Sequence, residues 1–280
     1  MAFQKIPTDG ELREAIATSS VWFQRWNIRQ GIETPGRNDV VGIMDSAGVP
    51  ADLTGRRVLD IGAYNGCVAL ECERRGAAEV VALDIMDPGV TGFRALAEAL
   101  GSEVRWEYGT VYELDPEIHG TFDIVIFFGV LYHLRWPLLG IDRIRSVATD
   151  LVFTESHVID RFFVHPRRWF RWLKEKEQKI SSVPIWRGYR SRELHPEDAS
   201  NFFGPNTSAV ECAFDDVGIT TETMALWDDR ASFRGVVRPG ATRQHEVYEA
   251  LHHATASLMG IKTVSDPLFV ETNASDDKRM

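Results

Sequence analysis

The chain has 280 residues, with 31 lysines and arginines against 41 aspartates and glutamates, so its formal net charge is −10. Apolar residues make up 44% of the chain and charged residues 26%. This is ordinary globular usage, and it excludes a disordered tail, a collagen and a coiled coil. The negative charge argues against a general nucleic-acid binder.

Targeting and redox features are sparse in this sequence. No apolar stretch reaches the roughly 18 residues of a membrane-spanning helix, and the segment from Met1 to Lys5 lacks the basic and apolar blocks of a secretory signal. The three cysteines form no Cys-x-x-Cys motif, which disfavours a disulfide scaffold and a cysteine-rich zinc site. We therefore expect a cytoplasmic protein with no membrane partner.

In chain order, helices are predicted first over 11–30 and 39–47. From residue 57 short apolar runs alternate with helical periods of about ten residues. The predicted strands are 58–62, 79–84, 104–107, 122–128, 151–154, 219–227 and 231–237, and the predicted helices among them are 66–75, 90–100, 138–147 and 206–217. This alternation predicts the α/β class, with a doubly wound, mostly parallel sheet.

Three regions follow from this pattern. Residues 1–50 are interpreted as a helical cap, 51–240 as the α/β domain, and 241–280 as a C-terminal helix and tail. Within the domain, 161–204 contains no clear strand and is interpreted as an insertion that covers the site as a lid. The predicted helix 243–259 is a candidate contact for a homodimer.

The turn after the first predicted strand of the sheet reads Asp60-Ile61-Gly62-Ala63-Tyr64-Asn65-Gly66. Ligands of such sheets bind beyond the carboxyl ends of the strands, and the N-terminus of the following helix offers free N–H groups. The pyrophosphate pattern G-x-G-x-x-G of dinucleotide sites is absent, so an NAD-dependent reductase is disfavoured. A carboxylate at Asp60 suits a cationic amine instead, such as that of S-adenosylmethionine.

The second strand of the sheet ends at Asp84, 24 residues after Asp60. A carboxylate at this place accepts hydrogen bonds from ribose hydroxyls in nucleoside cofactors. The alternative is that Asp60 and Asp84 merely cap the ends of their strands.

Several segments carry a family resemblance. The turn Asp60–Gly66 resembles the first motif of class I S-adenosylmethionine-dependent methyltransferases. Longer stretches resemble the tRNA uridine-5-oxyacetic acid (carboxymethyl) methyltransferase-like family: Trp22–Phe23 with Gly31–Gly36, Phe128–Leu139, Glu155–Asp160, Phe202–Thr207 and Arg234–Val237. The likeness covers roughly residues 20–240 and is specific for the family, but not for the substrate.

The resemblance implies S-adenosyl-L-methionine as the cofactor and assigns its contacts. The implied cofactor-binding residues are Asp60, Gly62, Ala63, Tyr64, Asn65, Gly66, Asp84, Ile85, Thr110, Val111, Tyr112, Phe128, Gly129 and Val130. Tyr132 is expected to reach the transferred group. Arg234 matches an arginine that, in the tRNA enzyme, helps to hold a carboxylated cofactor.

Two positions depart from the family pattern. The family's lysine before the first strand is missing, and its acidic residue after the third strand is replaced by Tyr112. Both changes favour the plain cofactor and methyl transfer.

Methyl transfer from a sulfonium requires no metal, and a base is useful only when the acceptor must lose a proton. His133 and His157 follow the fourth and fifth strands, and histidine titrates closest to neutral pH. We therefore assign His133 and Tyr132 as candidate catalytic residues and His157 as a candidate substrate contact, although both histidines could be structural.

The insertion is basic and aromatic. Residues 161–192 contain ten lysines and arginines against two glutamates. Arg168 and Trp172 are candidate substrate contacts, together with Arg234. The segment is consistent with recognition of a small anion, with RNA binding through phosphates and stacked bases, or with an amphipathic helix packed on the core.

The sequence therefore predicts a methyltransferase that modifies an oxygen or nitrogen of a small molecule, and the basic insertion is consistent with an anionic one. The alternative is a tRNA-modifying methyl- or carboxymethyltransferase. A third hypothesis is a protein that binds the cofactor without catalysis.

Overall fold

The computed structural model describes residues 3–163 and 182–240. The N-terminal region contains helix α1 (Asp9–Ala17), the short strands β1 (Gln24–Arg25), β2 (Asn27–Arg29), β3 (Ile32–Glu33) and β4 (Asn38–Asp39), and helix α2 (Val40–Ala47). Thr8 and Glu11 form a capping box that starts α1, because each satisfies a backbone N–H that the first turn leaves free.

A seven-stranded sheet forms the centre of the molecule. Its strands are β5 (Arg57–Ile61), β6 (Glu79–Asp84), β7 (Arg105–Tyr108), β8 (Phe122–Phe128), β9 (Ala148–His157), β12 (Ile219–Trp227) and β13 (Arg230–Val237). They lie in the order β12-β13-β9-β8-β5-β6-β7. Only β13 runs against the others, since it pairs antiparallel with both β9 and β12. All seven strands predicted for the sheet are thus confirmed, as is its mostly parallel character.

Helices cover the two faces of this sheet. They are α3 (Cys67–Arg74), α4 (Phe93–Leu100), the single turn α5 (Pro116–His119), α6 (Pro137–Val147) and α7 (Thr207–Asp216). One apolar core packs α2, α3 and α4 against the sheet, and a second packs α6 and α7 against its other side. The α/β, doubly wound fold class is therefore confirmed.

The prediction of one helix over 11–30 was wrong beyond Ala17. The backbone after α1 finds tertiary partners instead: the N–H groups of Phe23 and Gln24 donate to Asn65 Oδ1, at 2.9 and 3.0 Å. The hydroxyl of Thr34 accepts from the Trp26 N–H at 2.8 Å. Such long-range bonds override local helix propensity, so the region carries strands as well as helices.

The prediction of no strand in 161–204 was also wrong. Two short strands, β10 (Trp186–Gly188) and β11 (Phe203–Pro205), pair antiparallel. The Trp186 and Phe203 rings meet edge to face, with 6.4 Å between centroids, so cross-strand aromatic packing supports a pair too short to be recognised from periodicity.

The remaining regional predictions stay predictions. The boundaries 1–50, 51–240 and 241–280 and the role of the insertion as a lid are not decided by the fold. The helix 243–259, Arg168 and Trp172 lie outside the described residues. No helix in residues 3–163 or 182–240 is long and apolar enough to cross a membrane.

Candidate functional site

The order in which the chain adds strands to the sheet reverses between β5 and β8. From β5 the chain moves outward to β6 and β7, and then returns to place β8 on the other side of β5. In open α/β sheets the crevice beyond the carboxyl ends at such a switch point is where ligands bind. The segments that follow β5 and β8 are the predicted cofactor residues, so the topology brings them together.

The turn after β5 depends on its glycines. Gly62 and Gly66 have φ angles of +73° and +70°, a region that strongly favours glycine. A Cβ on Gly62 would lie 2.2 Å from Val130 Cγ2, and one on Gly66 would lie 2.1 Å from the Phe93 ring. Tyr64 also has a positive φ, of +50°. The turn is therefore pressed against the segment after β8, and local strain of this kind is typical of binding sites.

Asp60 provides the strongest indication of a ligand. It is 2% exposed, and its Oδ2 is buried without a hydrogen-bond partner among the described residues. Burial and the nearby Asp84 carboxylate raise the pKa of Asp60 to about 8. A buried carboxylate oxygen without a partner is costly unless a cation joins it. The ammonium of an amino-acid group fits this need, so the residues present suit S-adenosylmethionine.

Asp84, at the end of β6, holds two backbone groups. Its Oδ2 accepts from the Tyr64 N–H at 2.7 Å, and its Oδ1 accepts from the Met86 N–H at 2.8 Å. Burial raises its pKa even though these hydrogen bonds oppose the shift. Each carboxylate oxygen retains a further lone pair for a hydroxyl donor. Ile85 beside it is 57% exposed, which leaves an apolar surface next to this acid.

Asn65 and Ala63 are held by the N-terminal region rather than left open. Asn65 is fully buried, and its Nδ2 donates to the carbonyl of Thr91 at 2.7 Å while its Oδ1 takes the N–H groups after α1. Gln24 donates from Nε2 to the Ala63 carbonyl at 3.2 Å and accepts from the Cys67 N–H at 2.8 Å. The side chain of Asn65 thus fixes the turn, and any cofactor contact at 63–65 falls to other atoms.

The residues after β7 form a short 3-10 turn, Val111–Glu113. Thr110 caps it, with its N–H donating to Glu113 at 2.7 Å. Val111 is buried in the core. The Tyr112 hydroxyl accepts from the Trp136 N–H at 3.1 Å, and the two rings meet edge to face. These contacts join the turn after β7 to the segment that precedes α6.

Phe128 ends β8, and Gly129 and Val130 follow it at the carboxyl edge of the sheet. Gly129 has a φ of +71°, and its N–H donates to the Glu155 carbonyl at 2.9 Å. Tyr132 is 7% exposed, and a Cβ on Gly129 would lie 3.8 Å from its hydroxyl. The Tyr132 hydroxyl is therefore directed back at the segment expected to run along the thioether. Burial raises the pKa of Tyr132, which keeps the phenol neutral.

A buried ion pair lies beneath Tyr132. Arg230 donates to Glu155 through Nε at 2.5 Å and Nη2 at 2.6 Å, and its guanidinium lies 5.0 Å from the centroid of the Tyr132 ring. Burial opposes the charge of Arg230, but the attraction of Glu155 outweighs it and raises the pKa of Arg230.

Arg234 does not lie at this edge of the sheet. In the antiparallel pairing of β13 with β9, Arg230 is opposite His157 at the carboxyl end of β9, whereas Arg234 is opposite Phe153. Arg234 instead approaches Glu222 at 3.5 Å. The expectation that Arg234 faces the ligand therefore needs correction, because the register places Arg230 there. One strand residue advances about 3.4 Å, so four residues separate the two arginines by roughly 13 Å.

The two candidate histidines differ in their surroundings. His133 stacks on Tyr132, with 4.2 Å between centroids, and its Nδ1 lies 2.8 Å from the Ser200 hydroxyl. His157 is 2% exposed. Its Nε2 lies 2.8 Å from the Tyr189 hydroxyl, and its Nδ1 lies 3.3 Å from Asp229 Oδ2. Burial lowers the pKa of both histidines.

Sequence reasoning missed several residues of this edge. They are Gln24, Tyr189, Asp198, Ser200 and Arg230. Gln24, Tyr189, Asp198 and Ser200 lie in the N-terminal region or the insertion, where no periodic pattern showed which side chains return to the sheet. Arg230 had a signal, since it begins the last strand, but only the register shows that it reaches the ligand edge.

Comparisons with known proteins agree with this architecture. A family described as "Methyltransferase domain" matches residues 58–149. The magnesium-protoporphyrin O-methyltransferase of Rhodobacter capsulatus is 32% identical over 188 residues, which cover 65% of this chain and 77% of that protein.

Two tRNA U34 carboxymethyltransferases are also similar. The Ectopseudomonas mendocina protein is 36% identical over 113 residues, covering 40% of this chain and 34% of the relative. The Photobacterium profundum protein is 27% identical over 186 residues, covering 64% and 51% respectively. The chain thus spans between about a third and a half of the length of these tRNA-modifying relatives.

Solved structures support the fold. The N-terminal domain of EvdMO1, crystallised in the presence of S-adenosylhomocysteine and D-fucose, superimposes with a TM-score of 0.54 at 16% identity, covering 83% of this chain and 98% of that one. S-adenosylmethionine is the methyl donor of the methyltransferases to which the sequence and fold relate this chain. The crevice at the β5–β8 switch point carries the glycine turn with Asp60 and Asp84, and the chain belongs to the class I S-adenosylmethionine-dependent methyltransferases.

Proposed function

We propose that this protein transfers a methyl group from S-adenosylmethionine to an oxygen or nitrogen atom of a small molecule. The observation that carries the proposal is the buried Oδ2 of Asp60, which has no hydrogen-bond partner among the described residues. It lies at the same sheet edge as Asp84, and this edge also presents Tyr132 and His133. The proposed cofactor site and a proton-accepting side chain would then share this edge.

Each of the proposed cofactor residues would contact a different part of S-adenosylmethionine. Asp60 would hold the ammonium of the amino-acid end, because no described residue donates to its Oδ2. Asp84 would accept the ribose hydroxyls while it keeps the turn in place through Tyr64. Ile85 and Val111 would flank the adenine. When bound, the cofactor supplies an electrophilic methyl group on a sulfonium.

The protein's own part in the chemistry is to orient the acceptor, exclude water and accept a proton. Tyr132 lies beside Gly129 and packs on the Arg230–Glu155 ion pair, which would hold it in a fixed position. Binding in a fixed geometry supplies a large share of the rate enhancement. His133 would accept the proton that an oxygen or nitrogen acceptor loses, a contribution of about 10²–10⁴-fold.

The share of each relative's length that the chain covers supports a small-molecule acceptor. The chain covers 77% of the magnesium-protoporphyrin O-methyltransferase, which is named for a small-molecule acceptor, but only 34% of the Ectopseudomonas mendocina tRNA-modifying relative. The net charge of −10 would also repel a polyanion such as tRNA.

A second candidate function is modification of tRNA by methyl or carboxymethyl transfer. It is favoured by the tRNA U34 carboxymethyltransferase relatives and by Arg230, a cation beside Tyr132 at the ligand edge. In that case the protein would depend on tRNA as a partner and on a carboxylated cofactor.

Calorimetry with S-adenosylhomocysteine tests the cofactor assignment, with NAD⁺ as the matched nucleotide control. We expect binding of S-adenosylhomocysteine and none of NAD⁺. Methyl-labelled S-adenosylmethionine is then incubated with a metabolite pool and, separately, with bulk tRNA. Label in small molecules supports the main proposal; label only in tRNA replaces it with the second.

Two further proposals concern the protein in the cell. A cytoplasmic location is supported by the three cysteines, which are free thiols of the kind that a reducing compartment maintains. A homodimer rests on the predicted helix 243–259 alone, and light scattering of the full chain would test it.

A further inference from the structure

A chain of three side chains links His133 to the insertion. His133 Nδ1 lies 2.8 Å from Ser200 Oγ, and Ser200 Oγ donates to Asp198 Oδ1 at 2.5 Å. The Ser200 N–H donates to the same Asp198 oxygen at 2.7 Å. Both Asp198 and Ser200 precede β11, so the insertion supplies two of the three members.

Counting donors fixes which nitrogen of His133 carries its proton. A serine hydroxyl has one proton, and an ionised carboxylate only accepts. Because the hydroxyl proton of Ser200 is used on Asp198, the bond between Ser200 and His133 must be donated by Nδ1. A neutral His133 then carries its proton on Nδ1 and a lone pair on Nε2.

The charges around the pair support these protonation states. Burial opposes the ionisation of Asp198, but the hydrogen bonds from Ser200 outweigh it and lower the pKa of Asp198. Burial lowers the pKa of His133, with Arg230 and His195 acting in the same direction and Asp198 against them. At neutral pH the pair is therefore a carboxylate and an uncharged imidazole.

The position of His133 suits a proton acceptor for the site. Its ring stacks on Tyr132, whose hydroxyl is directed at Gly129 in the predicted thioether segment. The Phe202 N–H donates to the Tyr132 carbonyl at 2.8 Å, so the end of the insertion is attached directly beside the histidine that it orients.

His157 is not an equivalent candidate. Its Nε2 is engaged by the Tyr189 hydroxyl, and its ring is almost fully buried. No described residue hydrogen-bonds to Nε2 of His133.

We propose that Asp198 and Ser200 are positioning residues, which hold His133 as a neutral imidazole protonated on Nδ1 so that its Nε2 accepts the proton of the methyl acceptor. The O–H or N–H bond of the acceptor breaks, an N–H bond forms at Nε2, and the resulting imidazolium faces the Asp198 carboxylate until the proton leaves to water. The inference rests on the proposed function.

Nuclear magnetic resonance of the full chain labelled with ¹⁵N-histidine tests it without a known acceptor. Two-bond ¹H–¹⁵N correlations distinguish the two neutral tautomers, and His133→Gln identifies the His133 signals among the eight histidines. Asp198 Oδ2 lies 3.6 Å from Nδ1 and could replace the lost hydroxyl, so Ser200→Ala is combined with Asp198→Ala. Glu197→Gln, which alters the neighbouring exposed carboxylate, is the matched control.

We expect wild type and the control to show Nδ1 protonated at pH 7, with a His133 pKa below 6.5. The double variant should shift the population towards protonation at Nε2. Protonation at Nε2 in the wild type, or a double variant with the wild-type pattern, would overturn the proposal.

Calorimetry with S-adenosylhomocysteine separates this test from that of the proposed function. The double variant should bind it as tightly as wild type, because neither residue contacts the turn after β5. If wild type does not bind S-adenosylhomocysteine, the proposed function is contradicted. The tautomer of His133 would still show whether Asp198 and Ser200 orient its ring. If the double variant fails to fold, the wild-type tautomer alone decides.

Discussion

The backbone N–H of Tyr64 donates a 2.7 Å hydrogen bond to Oδ2 of Asp84. The acid that ends β6 therefore fixes the turn that follows the neighbouring strand β5, and it does so with Tyr64 at a φ of +50°. One carboxylate joins the end of β6 to the turn after β5. Loss of its charge should affect the shape of the turn as well as any contact with a ribose.

Asp84→Asn should weaken binding of S-adenosylhomocysteine by about 10–100-fold, because a hydrogen bond to a charged group contributes roughly 1.5–3 kcal/mol. Calorimetry at pH 7.5 measures the change. Asp87→Asn, an exposed carboxylate in the same loop, is the control and should bind like wild type. Equal affinities for the two variants would remove Asp84 from the cofactor site.

The contribution of Asp60 to the stability of the free protein should fall as pH rises from about 4 to about 8. The pKa of Asp60 is about 8 in the folded chain and about 3.9 when unfolded, so the folded state binds more protons in this interval. The stabilisation that protonated Asp60 gives the folded chain is complete below about pH 4 and is lost as pH approaches 8.

Asp60→Asn isolates this effect, since the amide cannot ionise. The variant should gain stability relative to wild type at pH 8 and yet bind S-adenosylhomocysteine at least about 10-fold more weakly, having lost the charge that faces the ammonium. Urea unfolding at pH 5, 7 and 8 gives the first result, and calorimetry gives the second. A variant less stable than wild type at pH 8 would contradict the assignment of a buried, unpaired carboxylate.

Strands with continuous apolar residues could be predicted from the sequence because burial on both faces leaves a strong local signal, as in Phe122–Phe128. The N-terminal region could not, because its backbone is fixed by distant partners such as Asn65. The same applies to β10 and β11, which are three residues each and gain stability only by pairing.

The proposed cofactor residues could be selected from the sequence because Asp84 ends one apolar run and Asp60 lies one residue before the end of another. Those of the substrate side could not. Whether Arg230 or Arg234 reaches the crevice depends on the register of β13 against β9, which no local pattern encodes. Asp198 and Ser200 reach His133 across 65 residues or more, so only the folded chain brings them together.

Arg230→Met should lower the free energy of unfolding by about 3–5 kcal/mol, because it leaves the Glu155 carboxylate buried without its partner. Glu155 is 1% exposed. The double variant Glu155→Leu with Arg230→Met removes both charges and should recover most of the loss. Urea denaturation of the two single variants and the double variant gives the coupling energy. Additive losses would show that the ion pair does not act as a unit.

Gln24→Leu should weaken binding at one end of the cofactor only. The substitution removes the acceptor of the Cys67 N–H and the donor to the Ala63 carbonyl, so the turn around Tyr64 loses its support from the N-terminal region. S-adenosylhomocysteine carries an amino-acid end that this turn would contact, whereas 5′-methylthioadenosine lacks it. We expect the affinity for the first to fall about 30-fold, since a hydrogen bond contributes about 1 kcal/mol and two are lost, while the affinity for the second stays within about 2-fold of wild type. Gln30→Leu, on the exposed turn between β2 and β3, serves as the control, and an equal loss for both ligands would show that Gln24 supports the fold in general rather than the amino-acid end of the site.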